Sequence, residues 1–134
     1  MADVVTSQKI VDGERNVIMK FTNISDGTGE SAVLKVDVSA LAPDSFGAVC
    51  TSVIINKIYV STHGMEVRMF WDASTDVPFF LSSPGATQTL DFSSFTGITN
   101  NGGSGVTGDI MFSTADASSG DTYWCVLEMI KGYA

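Results

Sequence analysis

Positive charge is scarce in this chain. Its 134 residues contain seven Lys and Arg, spread as Lys9, Arg15, Lys20, Lys35, Lys57, Arg68 and Lys131, against fifteen Asp and Glu, for a formal net charge of -8. Phosphate binding depends on clustered cations, and no cluster forms at this spacing, so nucleic acid is not expected as a partner. The acidity itself reads as a solubility device. No apolar run approaches the roughly 20 residues of a membrane-spanning helix, and no membrane partner is expected. The first residues lack the basic and apolar regions of a secretory signal, which leads us to expect synthesis in the cytoplasm. Only two cysteines are present, Cys50 and Cys125. Without a signal peptide they read as buried thiols rather than a disulfide.

Catalytic and ligand-binding groups are equally sparse. The single histidine, His63, lies in Ser61-Thr62-His63-Gly64, where a solvent-facing turn is expected, and no serine has nucleophile-elbow surroundings. One histidine and two distant cysteines make no zinc site. Gly103-Ser104-Gly105-Val106-Thr107-Gly108 spells G-x-G-x-x-G, but a strand pattern follows it where a dinucleotide site needs a helix, so the glycines read as a turn. The pairs Asp72/Asp76 and Asp116/Asp121 flank turns, which explains them better than paired-carboxylate catalysis. Asp26 and Glu30 do not follow the EF-hand spacing of calcium ligands. We therefore expect no enzyme, no catalytic residues, no cofactor and no metal.

The chain is rich in strand signals. Apolar residues make up 44% and charged residues 16%, enough for one domain with a substantial core. Alternation of period two recurs throughout, while helical periodicity is almost missing. Val17, Met19 and Phe21 form one buried stripe; Met65, Val67, Met69 and Trp71 form another. Ala32, Leu34, Val36 and Val38 suggest a third, with Lys35 and Asp37 pointing outward. The Asp26-Gly27 turn between the first and third stripes suggests a hairpin. Val53 to Val60 is apolar on both faces, as a central or interfacial strand would be. Val77 to Leu81 carries Pro78 and reads as an edge strand. Shorter strands are expected over Thr87 to Phe92 and Asp109 to Ser113, and Asp121 to Lys131 closes the chain. Residues 41–49 read as a loop with room for a short helix. The expected fold is all-β: a single-domain antiparallel β-sandwich of about eight or nine short strands, with a jelly roll and an immunoglobulin-like sandwich both open. The immunoglobulin reading rests on Cys50, Trp71 and Tyr123 with Cys125. Its spacing is poor, because only nine residues follow Cys125.

Residues 1–12 are weakly patterned and carry Val4, Val5, Ile10 and Val11 as apolar anchors. They are expected to form an N-terminal arm ahead of a sandwich spanning residues 13–134. Phe70 lies on the polar face of its strand and Trp124 opposite Tyr123 and Cys125. Those two aromatics join the four arm residues as candidate interface residues.

Three stretches together carry a resemblance. They are Met1-Ala2-Asp3-Val4-Val5 leading into Asn16-Val17-Ile18-Met19-Lys20-Phe21-Thr22-Asn23, then Met69-Phe70-Trp71-Asp72-Ala73-Ser74-Thr75-Asp76, then Gly108-Asp109-Ile110-Met111-Phe112-Ser113-Thr114 with Ser119-Gly120-Asp121-Thr122-Tyr123 and Glu128-Met129-Ile130-Lys131. The chain resembles small virion proteins of tailed bacteriophages, and among them the capsid decoration, or cement, proteins. The resemblance implies a structural protein on the outer capsid surface of the virion. It would bind the major capsid protein and stabilise the head, and it would self-associate, with a trimer as one arrangement. The alternative is a carbohydrate- or receptor-binding sandwich of a phage tail or fibre.

Overall fold

A computed structural model describes residues 3–83, 85, 87–95 and 97–133. Nine strands run in order: β1 (Val4–Asp12), β2 (Asn16–Asp26), β3 (Val33–Val36), β4 (Cys50–His63), β5 (Glu66–Trp71), β6 (Val77–Leu81), β7 (Thr87–Asp91), β8 (Ile110–Ala115) and β9 (Ser119–Tyr133). They form two antiparallel sheets, a five-stranded sheet in the order β1-β2-β9-β4-β7 and a four-stranded sheet in the order β3-β8-β5-β6. The pairings nest: β5 with β6, β4 with β7, β3 with β8 and β2 with β9. Eight strands thus behave as one long antiparallel hairpin wound over itself, which is the jelly-roll connectivity. Strand β1 is added outside it, on the free edge of β2.

The core lies between the sheets and follows the period-two reading. Val17, Met19 and Phe21 of β2 are buried, as are Val67, Met69 and Trp71 of β5 and Tyr123, Cys125, Leu127 and Met129 of β9. Phe21 meets Phe112 edge to face with ring centroids 5.0 Å apart, and Trp71 stacks on Phe79 at 4.4 Å. Strand β4 is central, flanked by β9 and β7, which accounts for its two apolar faces. Pro78 lies on the edge strand β6, where its missing N–H costs no ladder bond.

Four expectations are revised. First, the segment between β2 and β3 is a crossover between sheets, not a hairpin, because β2 pairs with β9 and β3 with β8. Second, a register shift between Leu34 and Val36 reverses the facing of β3, so Leu34 is exposed and Lys35 is buried. A bulge places an extra residue in the strand and turns side chains across the sheet. Third, Val4 to Asp12 is not a separate arm but a strand paired with β2 from Val4↔Ile24 to Asp12↔Val17; Met1 and Ala2 of that expected arm lie outside the described residues. Fourth, the short 3-10 turn falls at Val38–Ala40, ahead of residues 41–49, where it is capped by the Asp37 carboxylate accepting from Ser39 N at 3.1 Å.

Cys50 and Cys125 are both buried free thiols. They sit on one sheet, where Cys50 pairs with Tyr133 and Cys125 with Val60. Eight residues of β9 separate their rows, about 27 Å at strand rise, far beyond the span of a disulfide. The intersheet bridge of an immunoglobulin domain is therefore impossible here.

Candidate functional site

Strand register assembles the candidate surface on the outer face of the five-stranded sheet. Because β9 alternates, Tyr123 and Cys125 point inward and Trp124 outward, and 43% of Trp124 is exposed. Its row reads Thr6, Thr22, Trp124, Ser61 and Thr87 across all five strands. Thr6 and Thr22 share a hydroxyl hydrogen bond, and Ser61 and Thr87 share another at 3.0 Å. One indole thus lies in a line of hydroxyls. On one side of it runs the row Val4, Ile24, Thr122 and His63, in which Val4 and Ile24 are both exposed.

Further along the same face, Val11 pairs with Ile18, Ile18 with Glu128, and Glu128 with Lys57. A register shift in β4 between Ile55 and Lys57 loosens the surface there. A depression of about 300 Å³ opens among Val11, Asn16, Ile18, Asn56, Glu128 and Ile130. Its wall is charged at one point only, where Glu128 accepts from the Tyr59 hydroxyl at 2.5 Å. That bond is the main cause that raises the Tyr59 pKa.

The candidate residues named from sequence divide accordingly. Val4, Val11 and Trp124 lie on this face, Val4 in the row next to Trp124 and Val11 six residues of β9 further along, about 20 Å from the Val4 row at strand rise. Val5, paired with Asn23, points to the opposite side of β1, and Ile10 is the residue skipped by the register shift between Lys9 and Val11. All four apolar side chains of β1 are exposed, because β1 has sheet neighbours on one edge only and the four-stranded sheet does not cover it. Phe70 is not part of this surface. It lies on the outside of the other sheet, in a row with Leu34, Met111 and Pro78.

Two exposed aromatics, Phe46 and Phe95, were missed. Phe46 is 95% exposed, at the tip of a loop that its neighbours hold tightly. The Asp44 carboxylate accepts from Phe46 N at 2.9 Å and Ala48 N at 2.8 Å, and Glu14 accepts from Ser45 N at 3.1 Å and its hydroxyl at 3.0 Å. The signal was Asp44-Ser45-Phe46-Gly47, a turn sequence with an aromatic and no apolar alternation to bury it.

Three of the four carboxylates considered for catalysis accept hydrogen bonds within the fold. Asp76 accepts from Ala73 N at 3.2 Å, Asp72 from the Thr107 hydroxyl at 2.8 Å and Asp121 from Ser118 N at 2.8 Å. The glycine motif is also turn chemistry. Gly103, Gly105 and Gly108 all have positive φ, and a Cβ on Gly108 would lie 2.1 Å from the Thr51 carbonyl oxygen. His63 is exposed at the end of β4. No protein-family model and no curated protein matches the chain.

Proposed function

We propose that this chain is a structural protein of a tailed-phage virion that decorates the outer capsid surface, binds the major capsid protein and stabilises the head. The observation that carries this reading is the outer face of the five-stranded sheet, where Trp124, Val4, Ile24 and Val11 leave apolar surface open to water. Val4, Ile24 and Trp124 lie in adjacent rows; exposed apolar surface of this kind marks a protein contact, and aromatic anchors dominate such contacts. Strand β1 adds an unpaired edge with apolar side chains on both faces, which suits pairing with another chain. Self-association, as a trimer or otherwise, belongs to the same proposal. Jelly rolls serve as viral capsid and lectin domains alike, and the fold accommodates the reading.

Cosedimentation with undecorated phage heads tests it. Saturable binding at a fixed ratio to the capsid protein is expected. Deletion of residues 1–9, which spares Asp12, and Trp124→Ala are each expected to weaken binding at least tenfold while the far-ultraviolet spectrum stays β-like. Absence of binding by the intact protein would refute the decoration reading.

The hydroxyl row around Trp124 favours a second reading, a carbohydrate- or receptor-binding module of a tail or fibre. Pyranose rings stack on an indole face, and flanking hydroxyls bond their edges. Glycan-array binding abolished by Trp124→Ala, in a protein that ignores heads, is the outcome expected of that alternative.

A further inference from the structure

At the end of the sandwich where the chain crosses from β2 to β3, three groups of complementary chemistry are buried together. Lys35 Nζ lies 2.6 Å from Glu30 Oε2, with the two side chains 3% and 6% exposed. The Asn23 carboxamide is fully buried, and its Nδ2 donates to the other oxygen of the same carboxylate, Glu30 Oε1, at 2.8 Å. The Tyr123 hydroxyl donates to Oε1 as well, at 2.6 Å, and Asn23 Nδ2 also donates to Asp3 Oδ2 at 3.1 Å. Asn23 Oδ1 is buried with no hydrogen-bond partner among the described residues.

The positions are held by the fold. Asn23 and Tyr123 are cross-strand partners on the inner face of the five-stranded sheet. Lys35 arrives from the facing sheet through the β3 bulge. Glu30 is pinned by its own backbone, with N donating to Thr114 Oγ1 at 2.8 Å and O accepting from Thr114 N at 3.0 Å.

An amine, a carboxamide and one carboxylate touching both are the components of an acyl transfer without water. We propose that Lys35 and Asn23 become joined by an intramolecular isopeptide bond, with Glu30 as the catalytic proton carrier. Glu30 Oε2 takes a proton from the Lys35 ammonium. The free amine then swings from the carboxylate and attacks Cγ of Asn23. The bond from Cγ to Nδ2 breaks as the new bond from Cγ to Nζ is kept. Two protons leave Nζ in all, and Glu30 relays both to Nδ2, which departs as ammonium. Glu30 ends as the carboxylate it began, Nζ retains one hydrogen, and no oxidant or co-reactant is consumed. The arrangement supplies what this step needs: a proton acceptor on the nucleophile, the same group on the leaving nitrogen, and a site closed to water that would otherwise hydrolyse the amide. The flexible lysine stem permits the swing. The unpartnered Oδ1 has no ground-state hydrogen bond to lose when charge develops on it. The product ties β2 of one sheet to β3 of the other, and the inference stands independently of the capsid reading.

Mass spectrometry of the full-length protein tests it. Cleavage on the carboxyl side of glutamates cuts between Asn23 and Lys35, giving fragments 15–30 and 31–66. In the denatured digest these are expected to remain joined, at a combined mass lighter by one ammonia than their sum as free peptides. Glu30→Gln, Asn23→Ala and Lys35→Met are each expected to lack the link in the intact mass. Cleavage of the wild-type digest into two free fragments of full mass would overturn the proposal, and that readout depends on no variant folding.

Discussion

Substituting Asp12 by Ala is expected to destabilise the domain far more than its place on an edge strand suggests. The Asp12 carboxylate pairs with the ammonium of Lys131, a side chain that is 0% exposed while Asp12 is 17% exposed. The ammonium also donates to the carbonyls of Gly13 at 2.5 Å and Ala42 at 2.9 Å. Asp12 in turn accepts from Ala42 N at 3.0 and 3.2 Å. This cluster ties the end of β1 and the following turn to the loop after β3. Removing the carboxylate leaves a buried ammonium with neutral partners only, which costs about 3–5 kcal/mol. The lost acceptor for Ala42 N adds about 1 kcal/mol. Lys131→Met is the milder change, about 1–3 kcal/mol, because Asp12 reaches water and keeps its bond to Ala42 N. The double variant is expected to be more stable than the sum of the two losses predicts, since the worst single state, an unpaired ammonium, no longer exists. Urea unfolding reads all four proteins. At a slope of about 2 kcal/mol per molar, Asp12→Ala lowers the midpoint by roughly 2–3 M. Equal losses for the two single variants, or strict additivity in the double, would refute the argument.

Acid is expected to weaken the attachment of β1. Burial pushes the Asp3 carboxyl up, but hydrogen bonds from Asp26 N, Asn23 and Thr28 outweigh it and hold the pKa at about 2. In Asp12, burial is likewise outweighed by Lys131 and Ala42 N, and its pKa is lowered. Both groups bind protons less readily folded than unfolded, so their stabilisation is complete above about pH 4 and is lost as pH falls toward 2. The urea midpoint should drop across that window, less so in Asp3→Asn; a flat profile would contradict the assignment. Glycine substitutions separate backbone strain from steric closeness. Gly103 and Gly108 have φ of +80 and +88, but a Cβ at Gly103 meets nothing within 4 Å, whereas one at Gly108 lies 2.1 Å from Thr51 O. Ala at Gly103 is expected to cost about 1 kcal/mol, and at Gly108 at least about 2 kcal/mol; equal shifts in thermal midpoint would count against the steric term.

Strand identity was legible because burial on one face imposes period two, and that holds for Val17 to Phe21 and for Met65 to Trp71. Facing failed where the strand is bulged. Leu34 and Lys35 follow the alternation on paper, yet the register shift in β3 exchanges their sides, and the buried cluster of Lys35, Glu30 and Asn23 stayed hidden with them. Sheet membership was illegible for the same kind of reason. The Asp26-Gly27 turn fits a hairpin locally, but β2 and β3 are each claimed by partners near the other end of the chain, about 100 residues on for Asn23 with Tyr123 and about 80 for Val33 with Phe112. Only long-range pairing distinguishes a crossover from a hairpin. Trp124 was placed outward correctly by its alternation with Tyr123 and Cys125, whereas Phe46 escaped because turns carry no periodicity from which exposure can be read.

Strand β1 shows why weak patterning does not imply an unstructured arm. Alternation is a record of one buried face, and β1 has none: it is bonded to β2 along its length, but exposed on both faces from Val4 to Val11. Nested pairing of β2 to β9 already satisfies the two sheets, so the extra strand gains backbone bonds without gaining a core. Each exposed hydrogen bond contributes about 1 kcal/mol, comparable with the entropy of ordering a residue. The ladder alone therefore leaves β1 near balance, and its ends decide the matter. Asp3 is fastened to the loop at Asp26 and Thr28, and Asp12 to Lys131. A strand clamped at both ends, with valines and an isoleucine facing water between the clamps, is held in an extended geometry, which under the proposed function is the geometry a partner strand would need. If β1 serves association as proposed, such preorganisation lowers the ordering cost of binding relative to a free tail.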